Sequence, residues 1–169
     1  MSIKQQLVRI LLRGMKEVYM DRIISDKLYL SLLYRRVLDK KMHWDNPCTF
    51  NEKLQWLKIY NRRNEYTQMV DKIAVKKIVA EKLGEKYIIP TLGVWDDFDD
   101  IDFSILPDRF VLKCNHDSGS ICICKNKNTF DIAEARKKMR KGLKQNLYWA
   151  GREWPYKDVK PRILAEKFM

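Results

Sequence analysis

Residues 109–125, RFVLKCNHDSGSICICK, contain the clearest strand signals in the chain. Two apolar runs, RFVLKCN and SICICK, lie on either side of the polar stretch HDSG. Short apolar runs separated by a few residues that include glycine are typical of a β-hairpin. We therefore predict two antiparallel strands joined by a short loop.

Helices are predicted before this hairpin, in residues 3–20, 26–38, 49–63 and 67–83. Ser25 or Asp26 suits the N-cap of the second helix. Thr49 and Glu52 have the spacing of a capping box at the start of the third, and Gly84 is a typical stop for the fourth.

The pattern changes after Gly84. KYIIPTLGVW (86–95) predicts a strand whose proline suits a sheet edge or a turn. Asp131 and Glu134 predict a capping box that opens a basic helix, and KPRILAEKFM (160–169) predicts a last strand. The fold class is therefore α+β, and we predict two domains, a helical lead in residues 1–100 and a smaller α+β part in residues 101–169.

The 169 residues carry a net charge of +12 that is unevenly distributed. Residues 1–65 and 111–169 are basic, whereas residues 66–110 are acidic and include WDDFDDIDF. Basic surfaces suit anionic partners, which are nucleotide phosphates, nucleic acid, acidic glycans or lipid headgroups. Charge does not choose among these four.

The first helix also bears on location. Ile3, Leu7, Ile10, Leu11, Met15 and Val18 form an apolar stripe among basic residues. Such a helix either docks on its own domain or lies on a membrane surface, so peripheral membrane contact stays open. The first residues do not resemble a signal peptide, and no run is apolar enough to span a membrane. We therefore expect a cytoplasmic chain with reduced cysteines.

Four potential zinc ligands, Cys114, His116, Cys122 and Cys124, fall within residues 114–124. If residues 117–120 form the loop, Cys122 opposes Asn115 and Cys124 opposes Lys113. The two cysteines of the second strand then face away from Cys114 and His116, because side chains alternate along a strand. A register changed by one residue would reverse this result. In the first register the sequence favours buried thiols and no metal.

Lys113 and the Ser118–Gly119–Ser120 loop suggest a phosphate site. A mid-strand lysine needs solvent, a partner or a ligand, and a small flexible loop lets backbone N–H groups approach phosphate oxygens. The alternative is a lysine on the solvated face of an ordinary hairpin. The local sequence does not distinguish these alternatives.

The wider pattern resembles a known family. The ordered strings TFNEKLQWLKIYNR (49–62), DKIAVKKIV (71–79), the run from Tyr87 to Ser120, and KPRILAEKFM resemble the TupA-like ATP-grasp family of teichuronopeptide and surface-polysaccharide biosynthesis. Relatives are often labelled glycosyltransferases. The resemblance covers about residues 45–169 and implies an ATP-dependent carboxylate–amine ligase that holds ATP between two α+β subdomains.

The resemblance also implies which residues bind the nucleotide. Lys72 and Lys113 would reach the phosphates, and the Ser118–Gly119–Ser120 loop would cover them. The hinge strand EKFM would frame the adenine, which adds Glu166, Lys167 and Met169 to the predicted ATP site. Residues 1–100 would then hold part of the N-terminal domain, and residues 101–169 the ATP-lid subdomain.

Two departures from the family pattern bear on activity. The magnesium-binding carboxylates of ATP-grasp enzymes follow the hinge, whereas this sequence ends at Met169. Asp117 stands where the family tends to have glycine, and its charge would oppose phosphate binding. We expect Mg²⁺ only in a complete protein, with this chain an inactive N-terminal portion that binds ATP weakly or not at all. The acceptor would be a carboxylate, such as one of an acidic polysaccharide, and the donor an amine.

Two other functions stay open. A nucleotide-sugar glycosyltransferase would need a metal-binding Asp-x-Asp, for which Asp100 to Asp102 is the candidate. A non-catalytic module would use the helix ARKKMRKGLK (135–144) on nucleic acid or membrane. Those charges spread over several helix faces, and we expect no nucleic-acid partner.

Overall fold

A computed structural model describes residues 3–17 and 22–169. The chain forms two compact units. Unit 1 consists of the described residues up to Arg63 together with Tyr148–Trp154, and unit 2 consists of Asn64–Leu147 and Pro155–Met169. The predicted division at residue 100 concerns family subdomains and stays a prediction. In the described ranges, no helix has the length and apolarity to cross a membrane.

Unit 1 is helical, as predicted. It contains α1 (Ile3–Glu17), α2 (Asp26–Leu38), α3 (Phe50–Tyr60) and most of α7 (Leu147–Gly151). The predicted caps are confirmed. The Leu28 N–H donates to Ser25 Oγ at the start of α2, and Thr49 and Glu52 form the capping box of α3. Val18, which we predicted in the stripe of the first helix, lies outside the described residues.

A buried charge cluster in unit 1 was not expected from the sequence. The guanidinium of Arg152 is fully buried against the rings of Tyr29, Tyr148 and Trp149. Its Nε lies 3.0 Å from Asp26 Oδ1, and Tyr148 donates to the same carboxylate at 2.6 Å. Arg62 reaches Asp26 Oδ2 at 2.5 Å. Burial raises the pKa of Asp26, but these hydrogen bonds and charges outweigh it, so the pKa is lowered.

Unit 2 contains α4 (Asn64–Val70), α5 (Ala74–Leu83), α6 (Ile132–Leu143) and a four-stranded sheet. The strands are β1 (Thr91–Trp95), β2 (Phe110–Cys114), β3 (Ile121–Cys124) and β4 (Ile163–Lys167). The prediction of one helix over residues 67–83 is wrong. The chain leaves the helix at Asp71, whose Oδ1 accepts from the Ile73 N–H at 2.9 Å, while the Lys72 N–H donates to the Asn115 carbonyl. These two bonds replace the intrahelical pattern and separate α4 from α5.

The sheet has the order β1-β4-β2-β3, and every neighbouring pair is antiparallel. The predicted hairpin is confirmed as β2 and β3. The proline-containing segment leads into β1 at one edge, as expected. The last strand, β4, is an inner strand with partners on both sides. The α+β fold class is confirmed.

One face of the sheet is covered by the core of unit 2. Phe110, Leu112 and Cys114 of β2 point to this face and pack with Ala135 and Met139 of α6. Phe98, Phe103 and Phe130 extend the core from the connecting segments. The acidic connector is partly neutralised by α6, because Arg136 and Arg140 pair with Asp99 and Arg140 also pairs with Asp97.

Candidate phosphate-binding site

The sheet face opposite the core carries two of the predicted site residues, Lys113 and Glu166. Alternation along β2 and β4 places Val111, Lys113, Leu164 and Glu166 on this second face, which we call the open face. Ile121 and Ile123 of β3 pair with Lys113 and Val111 and are exposed there. The open face therefore combines aliphatic side chains with one lysine and one carboxylate.

Lys113 and Glu166, two residues predicted to contact ATP, form a direct ion pair. Lys113 Nζ lies 2.5 Å from Glu166 Oε2. A second lysine, Lys76 of α5, lies 2.6 Å from the other carboxylate oxygen and also donates to the Ile89 carbonyl and Thr91 Oγ1. Burial raises the pKa of Glu166, but its hydrogen bonds to both lysines and their charges lower it further, so the net shift is downward. Glu166 is thus a charged residue with two cationic partners.

Sequence reasoning missed Lys76. The string DKIAVKKIV contains it four residues after Lys72, but no local signal singles it out, because its carboxylate partner Glu166 is distant in sequence. An open groove of about 670 Å³ lies beside Lys76 between α5 and residues 85–91. The residues that line this groove are Lys76, Lys77, Ala80, Glu81, Glu85, Ile88, Pro90 and Thr91. Because none of them is a predicted phosphate ligand, we do not assign the nucleotide to the groove.

Lys72 lies at the loop that follows β2. Its Nζ donates to the carbonyl oxygens of Cys114 at 3.1 Å and Asn115 at 3.2 Å, and to that of Asp117. Burial lowers the pKa of Lys72, while the charge of Asp117 raises it and that of Lys113 lowers it. The three hydrogen bonds place Lys72 against the end of β2, the strand that carries Lys113, and against the first residues of the loop.

Asn115 fixes the base of the loop. Its buried Nδ2 donates to Asp71 Oδ1 at 2.9 Å and to the Lys160 carbonyl at 3.0 Å. Its Oδ1 accepts from the Arg162 N–H at 2.7 Å. The neighbouring His116 is also buried, and its Nε2 lies 3.0 Å from the Gln145 carbonyl. These side chains attach the loop to three other segments of unit 2.

The Ser118–Gly119–Ser120 segment is less open than predicted. Ser118 and Gly119 are exposed, and Gly119 has a φ of +126°, a left-handed conformation that favours glycine. Ser120 turns inward and donates to the buried carboxylate of Asp117. Two of the three residues are therefore exposed to solvent, and the third holds the loop.

Gly142 of α6 packs directly against this loop. A Cβ at Gly142 would lie 2.2 Å from Ser120 Oγ and 2.7 Å from Cys114 Sγ. The close approach of helix and loop therefore requires glycine at this position. The sequence showed a glycine within a helix but not what it faces.

The hinge residues lie at the end of β4. Backbone pairing with β1 and β2 runs through Glu166 and Lys167, and the Lys167 N–H donates to the Pro90 carbonyl at 3.0 Å. Phe168 and Met169 lie beyond the strand, where Arg109 stacks over the Phe168 ring at 4.1 Å. Of the predicted hinge residues, Glu166 and Lys167 are therefore part of the sheet, whereas Phe168 and Met169 lie outside it.

The predicted hairpin register is wrong. Lys113 pairs with Ile121 and Leu112 with Cys122, and the Cys114 N–H donates to the Ser120 carbonyl. This register places Cys114, Cys122 and Cys124 on the same core-facing side, so the parity argument against zinc fails. Burial raises the pKa of the Cys114 thiol to about 12. Within the described ranges, no group of three His, Cys, Asp or Glu residues is placed to hold a metal ion.

The candidate residues of the alternative functions have local partners. Asp102 accepts from the Ser104 N–H at 2.8 Å and its hydroxyl at 2.6 Å. The charges of Arg136 and Arg140 in α6 are paired with the acidic connector. These contacts explain both sequence features as parts of unit 2.

Comparison with known proteins identifies the class of the domain and then its family. A family model for an ATP-grasp domain, described as TupA-like ATPgrasp, matches residues 52–169, which include the open face, Lys72 and the loop. The chain therefore belongs to the TupA-like ATP-grasp family. No curated protein and no solved structure matches it.

Proposed function

We propose that this chain binds ATP on the open face, and that the protein is an ATP-dependent carboxylate–amine ligase of cell-surface polysaccharide biosynthesis. The Lys113–Glu166 pair on a partly exposed sheet face supports this proposal, within the region that matches the family. The phosphates would lie between Lys113, Lys72 and the loop. The adenine would lie toward Phe168 and Met169.

Exchange of partners by Lys113 would create the phosphate site. Its ammonium, 2.5 Å from Glu166 in the structure, would turn to a phosphate oxygen. Lys76 would then keep the mostly buried Glu166 paired, because it contacts the other carboxylate oxygen. Leaving a buried carboxylate without a partner is costly, so Lys76 makes the exchange feasible.

The loop would contribute backbone groups. Ser118 and Gly119 are exposed, and N–H groups in a left-handed turn can line up toward an anion. Asp117 does not project freely at this point, because Ser120 and Lys72 engage its side chain and its carbonyl. Because a hydroxyl donor does not cancel the charge of a carboxylate, the repulsion of phosphate by Asp117 stays a prediction.

The reaction that family membership suggests joins a carboxylate to an amine through an acyl phosphate. The γ-phosphoryl group of ATP would pass to a carboxylate oxygen, and the amine would attack the acyl carbon and release inorganic phosphate. Lysines near the phosphates would stabilise the charge that develops. Since the described residues form no metal cluster, we assign none of them to Mg²⁺ and describe no step through it.

Titration calorimetry with ATP tests the nucleotide site. A contact between an ammonium and a phosphate contributes about 1.5–3 kcal/mol, so Lys113→Ala should weaken binding about 10- to 100-fold. Lys137→Ala, which removes an exposed lysine of α6, is the matched control and should leave binding unchanged. We expect weak binding by the wild-type chain. Equal affinities of wild type and Lys113→Ala, or preference for a UDP-sugar over ATP, would contradict the proposal.

A separate assay tests the ligase assignment. ATP hydrolysis that depends on both a carboxylate and an amine is the expected signature. ATP binding without any such dependence, in the presence of Mg²⁺ and of any further residues that the natural gene encodes, would remove the ligase assignment but keep the nucleotide site.

A further inference from the structure

The helix α1 presents an apolar stripe to solvent. Ile3, Leu7 and Ile10 are 76%, 62% and 68% exposed, and the spacing of 3, 7 and 10 places them on one side of the helix. Leu11 is also exposed and borders this stripe. Large aliphatic side chains at this exposure, contiguous on one helix, are characteristic of a surface that binds a partner.

A different side of α1 packs within unit 1. Leu12 and Met15 are buried, and α1 packs against α2. The sequence predicted a single stripe that joined Met15 to Ile3, Leu7 and Ile10. In the structure, the apolar residues divide between two sides, so docking on unit 1 accounts for Leu12 and Met15 but not for the exposed stripe.

The charges of α1 are mainly positive. The helix contains four basic residues, Lys4, Arg9, Arg13 and Lys16, and one acidic residue, Glu17, at its C-terminal end. At 3.6 residues per turn, Lys4 borders the stripe on one side, and Arg13 and Arg9 follow it on the other. An apolar stripe between basic residues matches an interfacial helix, with acyl chains beneath the stripe and anionic headgroups beside the basic side chains.

We propose that the exposed side of α1 binds an anionic lipid bilayer, with the helix lying in the plane of the interface. Ile3, Leu7 and Ile10 enter the boundary of the acyl chains, and Lys4, Arg9 and Arg13 contact headgroup phosphates. The proposal goes beyond nucleotide binding, because α1 precedes the family-matched region 52–169. Two other occupants, a second copy of the chain and nucleic acid, fit this surface less well, since its centre is aliphatic and the charges of the helix are mainly positive.

Co-sedimentation with vesicles tests the apolar contact. The wild-type chain is mixed with vesicles of phosphatidylcholine alone or with about a third phosphatidylglycerol. We expect binding to the anionic vesicles only. A single amphipathic helix with few basic residues needs both the burial of its apolar side chains and the attraction of its basic side chains to anionic headgroups. Ile10→Asp should lower the partition coefficient at least about tenfold. Ile105→Asp is the matched control, since Ile105 is an isoleucine of equal exposure, 68%, in unit 2.

A second pair of variants tests the charges. Lys4→Gln with Arg9→Gln should weaken binding about fivefold per residue, and added salt should reduce the difference. Lys137→Gln with Lys141→Gln removes the same charge from α6 and should have little effect. Circular dichroism and a thermal melt establish that each variant is folded, and Ile10→Ser replaces Ile10→Asp if the latter unfolds.

Three outcomes overturn the proposal. The first is equal binding to both kinds of vesicle or to neither. The second is an equal loss for Ile10→Asp and Ile105→Asp, or for the α1 and α6 charge pairs. The third is a lipid-free dimer, seen by light scattering, that Ile10→Asp dissociates, because the stripe would then bind a second copy.

Discussion

Each unit holds a carboxylate between two cations, but the two clusters differ in how the more buried cation is held. In unit 1, the side chain of Asp26 is 18% exposed and pairs with Arg62, which is 29% exposed, and with Arg152, which has no exposed surface. In unit 2, the side chain of Glu166 is 7% exposed and pairs with Lys76 and Lys113, which are 18% and 26% exposed. Each cluster thus contains a partly exposed cation, and the difference lies in the fully buried Arg152.

This difference agrees with a structural role for the cluster of unit 1 and with the proposed binding role for the cluster of unit 2. A planar guanidinium stacked on Tyr29, Tyr148 and Trp149 cannot leave its place without exposing those rings. An ammonium on a flexible stem, by contrast, can change partner while its stem stays packed. The ring-stacked Arg152 thus suits the interior of unit 1, and a pair of partly exposed lysines suits a site that accepts an anionic ligand.

The largest expected effect comes from breaking the cluster of unit 1. Asp26→Asn leaves the buried charge of Arg152 without a carboxylate, and we expect a loss of about 3–5 kcal/mol in the free energy of unfolding. Urea unfolding followed by tryptophan fluorescence measures it, since four of the five tryptophans, all except Trp95, belong to unit 1.

The matched change in unit 2 should be milder. Lys113→Ala leaves Glu166 paired with Lys76, so we expect a loss of about 1 kcal/mol or less. A loss as large as that of Asp26→Asn would show that the two clusters are equally structural, and the comparison between them would fail.

The next largest effect concerns the packing of α6 on the loop. Gly142→Ala places a methyl group against Ser120 and Cys114, and overpacking of this kind costs about 1–3 kcal/mol. The loop should also shift, because Ser120 is the nearest side chain. Thermal unfolding and the amide spectrum of residues 117–120 measure both effects. If neither Tm nor the loop spectrum changed, α6 would be able to move away from the loop without a loss of stability.

Acid titration distinguishes the carboxylates of the two units. In unit 1, the Thr49 N–H, the His43 side chain and further hydrogen bonds lower the pKa of Glu52 from 4.5 to about 2. In unit 2, the lysines lower that of Glu166 below 4.5. A carboxyl group with a lowered pKa stabilises the fold fully above its ordinary pKa and loses this contribution as the pH falls toward its folded value.

The stability advantage of wild type over Glu52→Gln and over Glu166→Gln should therefore shrink as the pH falls from 7 through 4.5 to 3. Urea midpoints across this range measure it. An advantage that stays constant with pH would show that the substitutions act through packing and not through charge.

The smallest effect is expected at the other helical glycine. A Cβ at Gly14 of α1 meets nothing within 4 Å, in contrast to Gly142. Gly14→Ala should stabilise unit 1 by up to about 1 kcal/mol, because alanine is the better helix former. A small rise in Tm is expected, whereas a fall would show that α1 packs closely on this side.

Local signals in the sequence predicted much of the fold. The caps at Ser25 and Thr49 and the strands of the hairpin follow from short-range chemistry, and each is present. The break at Asp71 was missed because it depends on Asn115, which is distant in sequence. A helix pattern does not reveal that a side chain from another segment interrupts it.

The site was predicted less completely than the fold. Family resemblance pointed to Lys113 and Glu166, and the structure shows them in contact, although their role toward ATP stays a prediction. The hairpin register failed because Asn115 and His116 are buried and bonded elsewhere, which lengthens the loop beyond the four residues assumed. Lys76 was missed because its partner is about ninety residues away.

The position of β4 has a consequence for the order in which unit 2 opens. β4 is the inner neighbour of β1, and β1 has no other partner in the described sheet. The hairpin of β2 and β3 closes a short loop, whereas β4 joins β2 across about fifty residues, at a greater cost in chain entropy. Release of β4 therefore also releases β1, while the hairpin keeps its own ladder. In native-state hydrogen exchange, β1 and β4 should open as one cooperative unit, and β2 and β3 should be able to outlast it.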